Sequence, residues 1–204
     1  MTFFILAITA AISILAFNNR ELFNKLQFNP YQVYHRKQWY RLISHGFVHG
    51  GWLHLIINML VFWSFGISVQ RIFDVLALEG IIRFPVLNFG ILYFGGIVIA
   101  SLSSLRKHRD NSYYNSVGAS GAVSAVVFVS IFFDPWHKIY FYGIIGIPGI
   151  ILGIGYLIYS YIMSKKSSDH INHDAHFLGA VWGFIYPLIL DYNLFKVFIS
   201  KLVT

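Results

Sequence analysis

A chain of 204 residues with 57% hydrophobic, 19% aromatic and only 11% charged side chains is too apolar for a water-soluble domain, which carries about a quarter charged residues. Its net charge of +7 is dispersed in short basic runs between apolar stretches, as in loops flanking membrane helices, and does not form one basic face for nucleic acid. The absence of cysteine excludes disulfides, thiolate metal sites and a cysteine nucleophile.

The length fits a single domain over residues 1–204. Six apolar segments follow one another, most of them close to the roughly 20 residues that span a bilayer. The first, Phe3–Phe17, has no Lys or Arg before it and therefore reads as a spanning helix and not a signal peptide. The connection Asn18–Gly51 is rich in Trp, Tyr, Phe and His and reads as a folded, membrane-embedded loop. The remaining segments are Trp52–Val69, Pro85–Leu102, Val117–Phe133, Ile139–Met163 and Ala175–Leu190. The fourth and sixth are short, interrupted by Gly and Ser, and expected inside the bundle. The pattern predicts an all-α, polytopic membrane protein with six transmembrane helices.

Polar residues inside such segments are costly and are functional candidates by default. Three groups stand out. In the second segment, His54 and Asn58 are spaced i,i+4 and share one helix face. The fourth begins with Gly118-Ala119-Ser120-Gly121, and the sixth with Ala175-His176 followed by Gly179. If all six segments span, these three groups begin on one membrane face, each within roughly 10 Å of it at about 1.5 Å per residue. A hydroxyl, an imidazole able to take its proton and two further donors are the minimum set for acyl transfer. The set predicts a serine hydrolase that needs no cofactor.

Other readings use the same residues. Gly-Ala-Ser-Gly alone is a common close-packing sequence in membrane helices, and it is not the G-x-S-x-G elbow, because Ala122 stands in the last position. His170, His173 and His176 recur every three residues and suggest a metal-binding membrane protein. Against metal, there is no H-E-x-x-H and Asn58 is a poor ligand. A non-catalytic protein that binds transmembrane helices is the other alternative.

The motifs together resemble the rhomboid intramembrane serine proteases: Trp39 and Arg41 in the first loop, His49-x4-His54-x3-Asn58, Gly118-Ala119-Ser120-Gly121, and Ala175-His176-x2-Gly179-x3-Gly183, in that order. The resemblance implies Ser120 as nucleophile, His176 as general base, and His54, Asn58 and the Ser120 backbone N–H as the oxyanion hole. It gives His49 and Arg41 the task of stabilising the first loop, and Gly179 that of close packing beside Gly121 and Gly118. It also implies transmembrane protein substrates and a bilayer setting, expected here to be a bacterial inner membrane with the site on the extracytoplasmic side. Two positions depart from the family pattern. Ser124 stands where many rhomboids carry an aromatic residue that stacks on the catalytic histidine, and Gln70 stands where the family often has Glu.

A buried serine is accessible to a transmembrane segment that unwinds locally, since a helix hides its carbonyls in i to i−4 bonds. Substrates should therefore carry helix-breaking or small residues. Asp169, His170, Asn172, His173 and Asp174 are expected to hold water at the mouth. The fifth segment, with Gly143, Gly146, Gly149, Gly153 and Gly155, is the candidate lateral gate, unless these glycines only permit close packing. Lys and Arg are twice as frequent on the site face as on the opposite one, so the positive-inside rule places that face in the cytoplasm, against the resemblance.

Overall fold

The computed structural model describes residues 1–141, 144–166 and 172–203. The elements run α1 (Thr2–Phe17), α2 (Arg20–Leu26), α3 (Pro30–Arg36), α4 (Arg41–Ser44), a 3-10 turn at His45–Phe47, α5 (Trp52–Leu78) and α6 (Pro85–His108). They continue with α7 (Ser120–Phe133), strands β1 (Lys138–Phe141) and β2 (Ile145–Pro148), α8 (Gly149–Lys166), α9 (His173–Leu190) and α10 (Leu194–Val203). Each of the six apolar segments of the sequence overlaps, among its described residues, one or more elements of this list.

Among the described residues, α5 and α6 are long and apolar enough to cross a membrane by themselves, and α9 with α10 forms a pair bent by 119°. α1 and α7 are shorter apolar helices. α7 is the central one: of its fourteen residues, Gly121 to Val126 are buried without interruption. Such an all-round apolar helix is stable only when enclosed, and α5, α6 and α9 enclose it. One hydrophobic core joins Ile5, Phe62, Phe73, Tyr93, Val126, Phe132, Tyr186 and Phe198.

The fifth segment departs from the expected continuous helix. Lys138–Phe141 and Ile145–Pro148 pair antiparallel, with Ile139 opposite Ile147 and Tyr140 opposite Gly146. β-branched and aromatic side chains at alternating positions favour a pleated surface, and Pro148 disfavours helix at the residue before it. α8 begins one residue later, where Gly149 N–H donates to His137 O at 2.9 Å and Ile150 N–H to Pro135 O at 2.8 Å. Gly146 is thus in a strand, Gly149, Gly153 and Gly155 are in α8, and Gly143 lies outside the described residues. The chain also continues past the sixth segment into α10, whose Phe198 ring stacks on Phe132 at 5.1 Å.

The first loop is folded and tied down. Arg41 is buried, donating from Nη1 to Asn24 O (2.8 Å) and Gln27 O (2.7 Å), the carbonyls at the end of α2. Its Nε donates to Gln38 Oε1 at 2.6 Å. Phe28 and Ser116 form a two-bond antiparallel bridge that joins this loop to the segment leading into α7. Trp39 is half-exposed, with the Lys37 ammonium 5.6 Å from its ring centre. At the other end, Gln70 Oε1 accepts from Thr2 N–H (3.2 Å) and Thr2 Oγ (3.1 Å), so an amide oxygen provides the cap on α1 that a carboxylate would offer.

Candidate active site

Three helices present their N-terminal turns to one point. Ser120 is the first residue of α7, and His176 lies in the first turn of α9. Their side chains meet at 2.8 Å, Ser120 Oγ to His176 Nε2. Both residues are part-buried. Bare backbone sets this distance: a Cβ on Gly179 would overlap the Gly121 carbonyl, and one on Gly183 the Ala125 carbonyl. Gly121 in turn lies against Ala100, and a Cβ on Gly96 would stand 3.0 Å from Ala122 Cα. The start of α9 is capped by Asn172, whose Oδ1 accepts from Ala175 N–H at 3.1 Å. Asn172 Nδ2 donates to Ser104 Oγ on α6 at 2.9 Å.

The segment before Ser120 is held by the first loop. Gly118 has φ +110°, a conformation open to glycine, and its N–H donates to His45 O at 2.9 Å. Any Cβ there would meet the His54 ring at 2.7 Å. Ala119 N–H donates to His49 Nε2 at 3.4 Å. The other His49 nitrogen lies 2.9 Å from Ser13 Oγ, whose own hydrogen goes to Phe47 O at 2.8 Å. Ser13 must therefore accept, which fixes the hydrogen on His49 Nδ1 and leaves Nε2 free to receive the Ala119 N–H. Burial, reinforced by the neighbouring His54 and His45, pulls the His49 pKa down to about 3; burial likewise pulls His45 to about 4. A neutral ring is what the acceptor role of His49 requires.

His54 and Asn58 lie beside this segment on the first two turns of α5. Gly50 N–H donates to His54 Nδ1 at 3.4 Å, which puts the ring hydrogen on Nε2, against Gly118. Asn58 is buried and spends one amide hydrogen on His54 O at 2.9 Å, within its own helix. Its amide carries a second. The first N–H groups of α7 have no intrahelical acceptor.

Of the residues expected to hold water at the mouth, Asp169 and His170 lie outside the described residues. Asp174 binds Lys107 and accepts from Ser103 Oγ at 3.2 Å, on α6. Among the described residues, no three His, Asp or Glu side chains gather as a metal site would require. His173 packs its ring 6.0 Å from His176 and 5.4 Å from Tyr159.

Three contributors were not foreseen from the sequence. Ser13 and His45 support the His49 and Gly118 contacts, and Tyr156 of α8 lies over His176 with ring centres 6.0 Å apart and planes inclined by 19°. The position of Ser124 is thereby accounted for: its Oγ meets Tyr156 Oη at 2.7 Å. The signal available for Ser13 was a hydroxyl inside an apolar segment; for Tyr156 there was none beyond a tyrosine in a glycine-rich one.

A family model described as Rhomboid domain matches residues 36–193. The chain belongs to the rhomboid family. The rhomboid match begins at the last residue of α3 and takes in the rest of the first loop and the helices α4 to α9. Among curated relatives, RHOMBOID-like protein 12, mitochondrial, of Arabidopsis thaliana is 28% identical over 143 residues, 68% of this chain and 43% of the relative. RHOMBOID-like protein 4 of the same plant is 31% identical over 157 residues, 74% of this chain and 34% of the relative. The chain thus matches less than half the length of either. Rhomboid membership and the apolar helices make this an integral membrane protein. The relatives are plant proteins, one named mitochondrial, and lend no support to the expected bacterial inner membrane.

Proposed function

We propose that this rhomboid protein is an intramembrane serine endopeptidase that cleaves transmembrane segments with a Ser120–His176 dyad, inside a six-span bundle whose first loop lies in the membrane. The observation that carries the reading is the 2.8 Å approach of Ser120 Oγ to His176 Nε2 at the start of two helices. In the first step Ser120 Oγ bonds to the scissile carbonyl carbon while its proton passes to His176 Nε2. The oxyanion is received by His54 Nε2–H, the second Asn58 amide hydrogen and the Ser120 backbone N–H, with the positive end of the α7 dipole behind them. As the C–N bond breaks, His176 returns the proton to the leaving amine. A water then attacks the acyl carbon and gives its proton to His176, which returns it to Ser120 Oγ as the acyl–oxygen bond breaks and the carboxylic acid product leaves. Asp174 is committed to Lys107 and Ser103, so it is not the orienting carboxylate of a triad.

The test uses purified protein in liposomes with a reporter transmembrane substrate and no added metal or nucleotide. Ser120→Ala and His176→Ala are expected to reduce cleavage to background in folded protein. His54→Ala and Asn58→Ala should each lower kcat about 10²–10³-fold with little change in KM, because they contact charge present only in the transition state. Full cleavage by folded Ser120→Ala protein would overturn the assignment in favour of a non-catalytic binder of transmembrane segments. Loss on chelation, restored by zinc, would favour the metal reading.

A further inference from the structure

We propose that Tyr156 on α8 is a positioning residue for His176, replacing from a different helix the aromatic platform that Ser124 cannot provide. The inference rests on the protease reading above. Its basis is a closed frame of four side chains across α7, α8 and α9. Ser120 Oγ bonds His176 Nε2 at 2.8 Å, and the His176 ring faces the Tyr156 ring at 6.0 Å and 19°. Tyr156 Oη bonds Ser124 Oγ at 2.7 Å. Ser124 stands one helical turn beyond Ser120 on the same face of α7, which closes the frame.

Each side restricts a different freedom. The Ser120 bond fixes the end of the imidazole, and the offset ring face limits its rotation about χ2, within the range where aromatic planes attract one another. The hydroxyl bond to buried Ser124 keeps the tyrosine from swinging away, and Phe128 backs the ring at 6.1 Å. The Tyr156 face thus lies against the His176 ring while the ring's Nε2 is in line with Ser120. The platform is carried by α8, whose buried residues are only Gly149, Gly153 and Ser160. α8 is thus held on one narrow face, and when that face separates from the bundle the base loses its platform.

The experiment compares wild type, Tyr156→Phe, Tyr156→Leu, Ser124→Ala and the double variant Ser124→Tyr/Tyr156→Ala in liposomes. It measures kcat and KM on the reporter substrate, the rate of Ser120 labelling by a fluorophosphonate, and thermal unfolding. Removing the ring in Tyr156→Leu should lower kcat and labelling together by roughly 10- to 100-fold, the scale of a small misplacement of reacting groups, with KM within about twofold. Tyr156→Phe keeps the face, and Ser124→Ala leaves the ring unanchored; each should lose only a few-fold. Moving the ring to α7 in the double variant should restore much of the rate. Wild-type kcat and labelling in folded Tyr156→Leu protein would overturn the proposal and leave the protease reading standing. A parallel fall in kcat and unfolding temperature with no gain in the double variant would reduce Tyr156 to a packing residue and also overturn it. Absence of Ser120-dependent labelling in wild type would overturn the protease reading itself.

Discussion

His49 accepts the Ala119 N–H as a neutral ring, and His45 is buried beside it, which makes the first loop sensitive to acid. Their folded pKa values, about 4 and about 3, lie below the ordinary 6.5 because burial penalises the charged form. As pH falls below 6.5 the unfolded chain takes up protons that the folded one refuses. Stability is therefore complete above that pH and is lost as pH falls toward the folded values, at no more than about 1.4 kcal/mol per pH unit for each histidine. Unfolding measured in detergent at pH 7, 5.5 and 4 should show this decline, and His45→Gln/His49→Gln should flatten it. An undiminished slope in the double variant would sink the explanation. At this scale the sequence was most readable where a polar residue interrupts an apolar run. His54, Asn58, Ser120 and His176 could be singled out that way. Ser13 carried the same signal and Tyr156 did not, and neither could be given a task, because what gives each its meaning is a partner far along the chain: His49, 36 residues away, and Ser124, 32 residues away.

The contact of α7 with α9 is made of main chain where it matters most, since Gly179 and Gly183 leave no room even for a methyl group. Gly179→Ala should push the helices apart, at a cost of about 1–3 kcal/mol for overpacking, and should lower cleavage roughly 100-fold by separating Ser120 from His176. Gly90→Ala on α6, where a Cβ would meet nothing closer than 3.7 Å, should leave both stability and rate unchanged. Equal effects of the two substitutions, read by unfolding and by cleavage, would count against this account. Apolar length and small-residue spacing foretold these helices because burial in a bundle demands both. The same criteria failed at Ile139–Pro148. A hydrophobic run reads alike as helix or hairpin, and only the Ile-rich alternation ahead of Pro148 hinted that the strand would win. α10 escaped because Asp191-Tyr192-Asn193 reads as an end, while the bend there lets the chain return to cover Phe132.

Across the whole molecule, the charge count and the family pattern disagree about which end faces the cytoplasm. We side with the family pattern, in which the site opens away from it. Arg41 is buried and bonded to loop carbonyls and Gln38, and Lys107 is paired with Asp174, so neither is a free charge for the positive-inside rule. Because the chain has no cysteine, the test is direct. Lys107→Cys, at the site end of α6, should react with a membrane-impermeant thiol reagent from outside intact cells, and Asp74→Cys, near the far end of α5, should not. The reverse result would leave the site facing the cytoplasm. The position of the site on the chain has a consequence for biogenesis. Ser120 and His176 are 56 residues apart, with the hairpin and α8 between them. During synthesis Ser120 thus leaves the ribosome well before His176 does. Under the proposed dyad, a nascent chain holding only Ser120 is inert toward the membrane proteins being inserted around it, and cleavage begins only when α9 docks against α7.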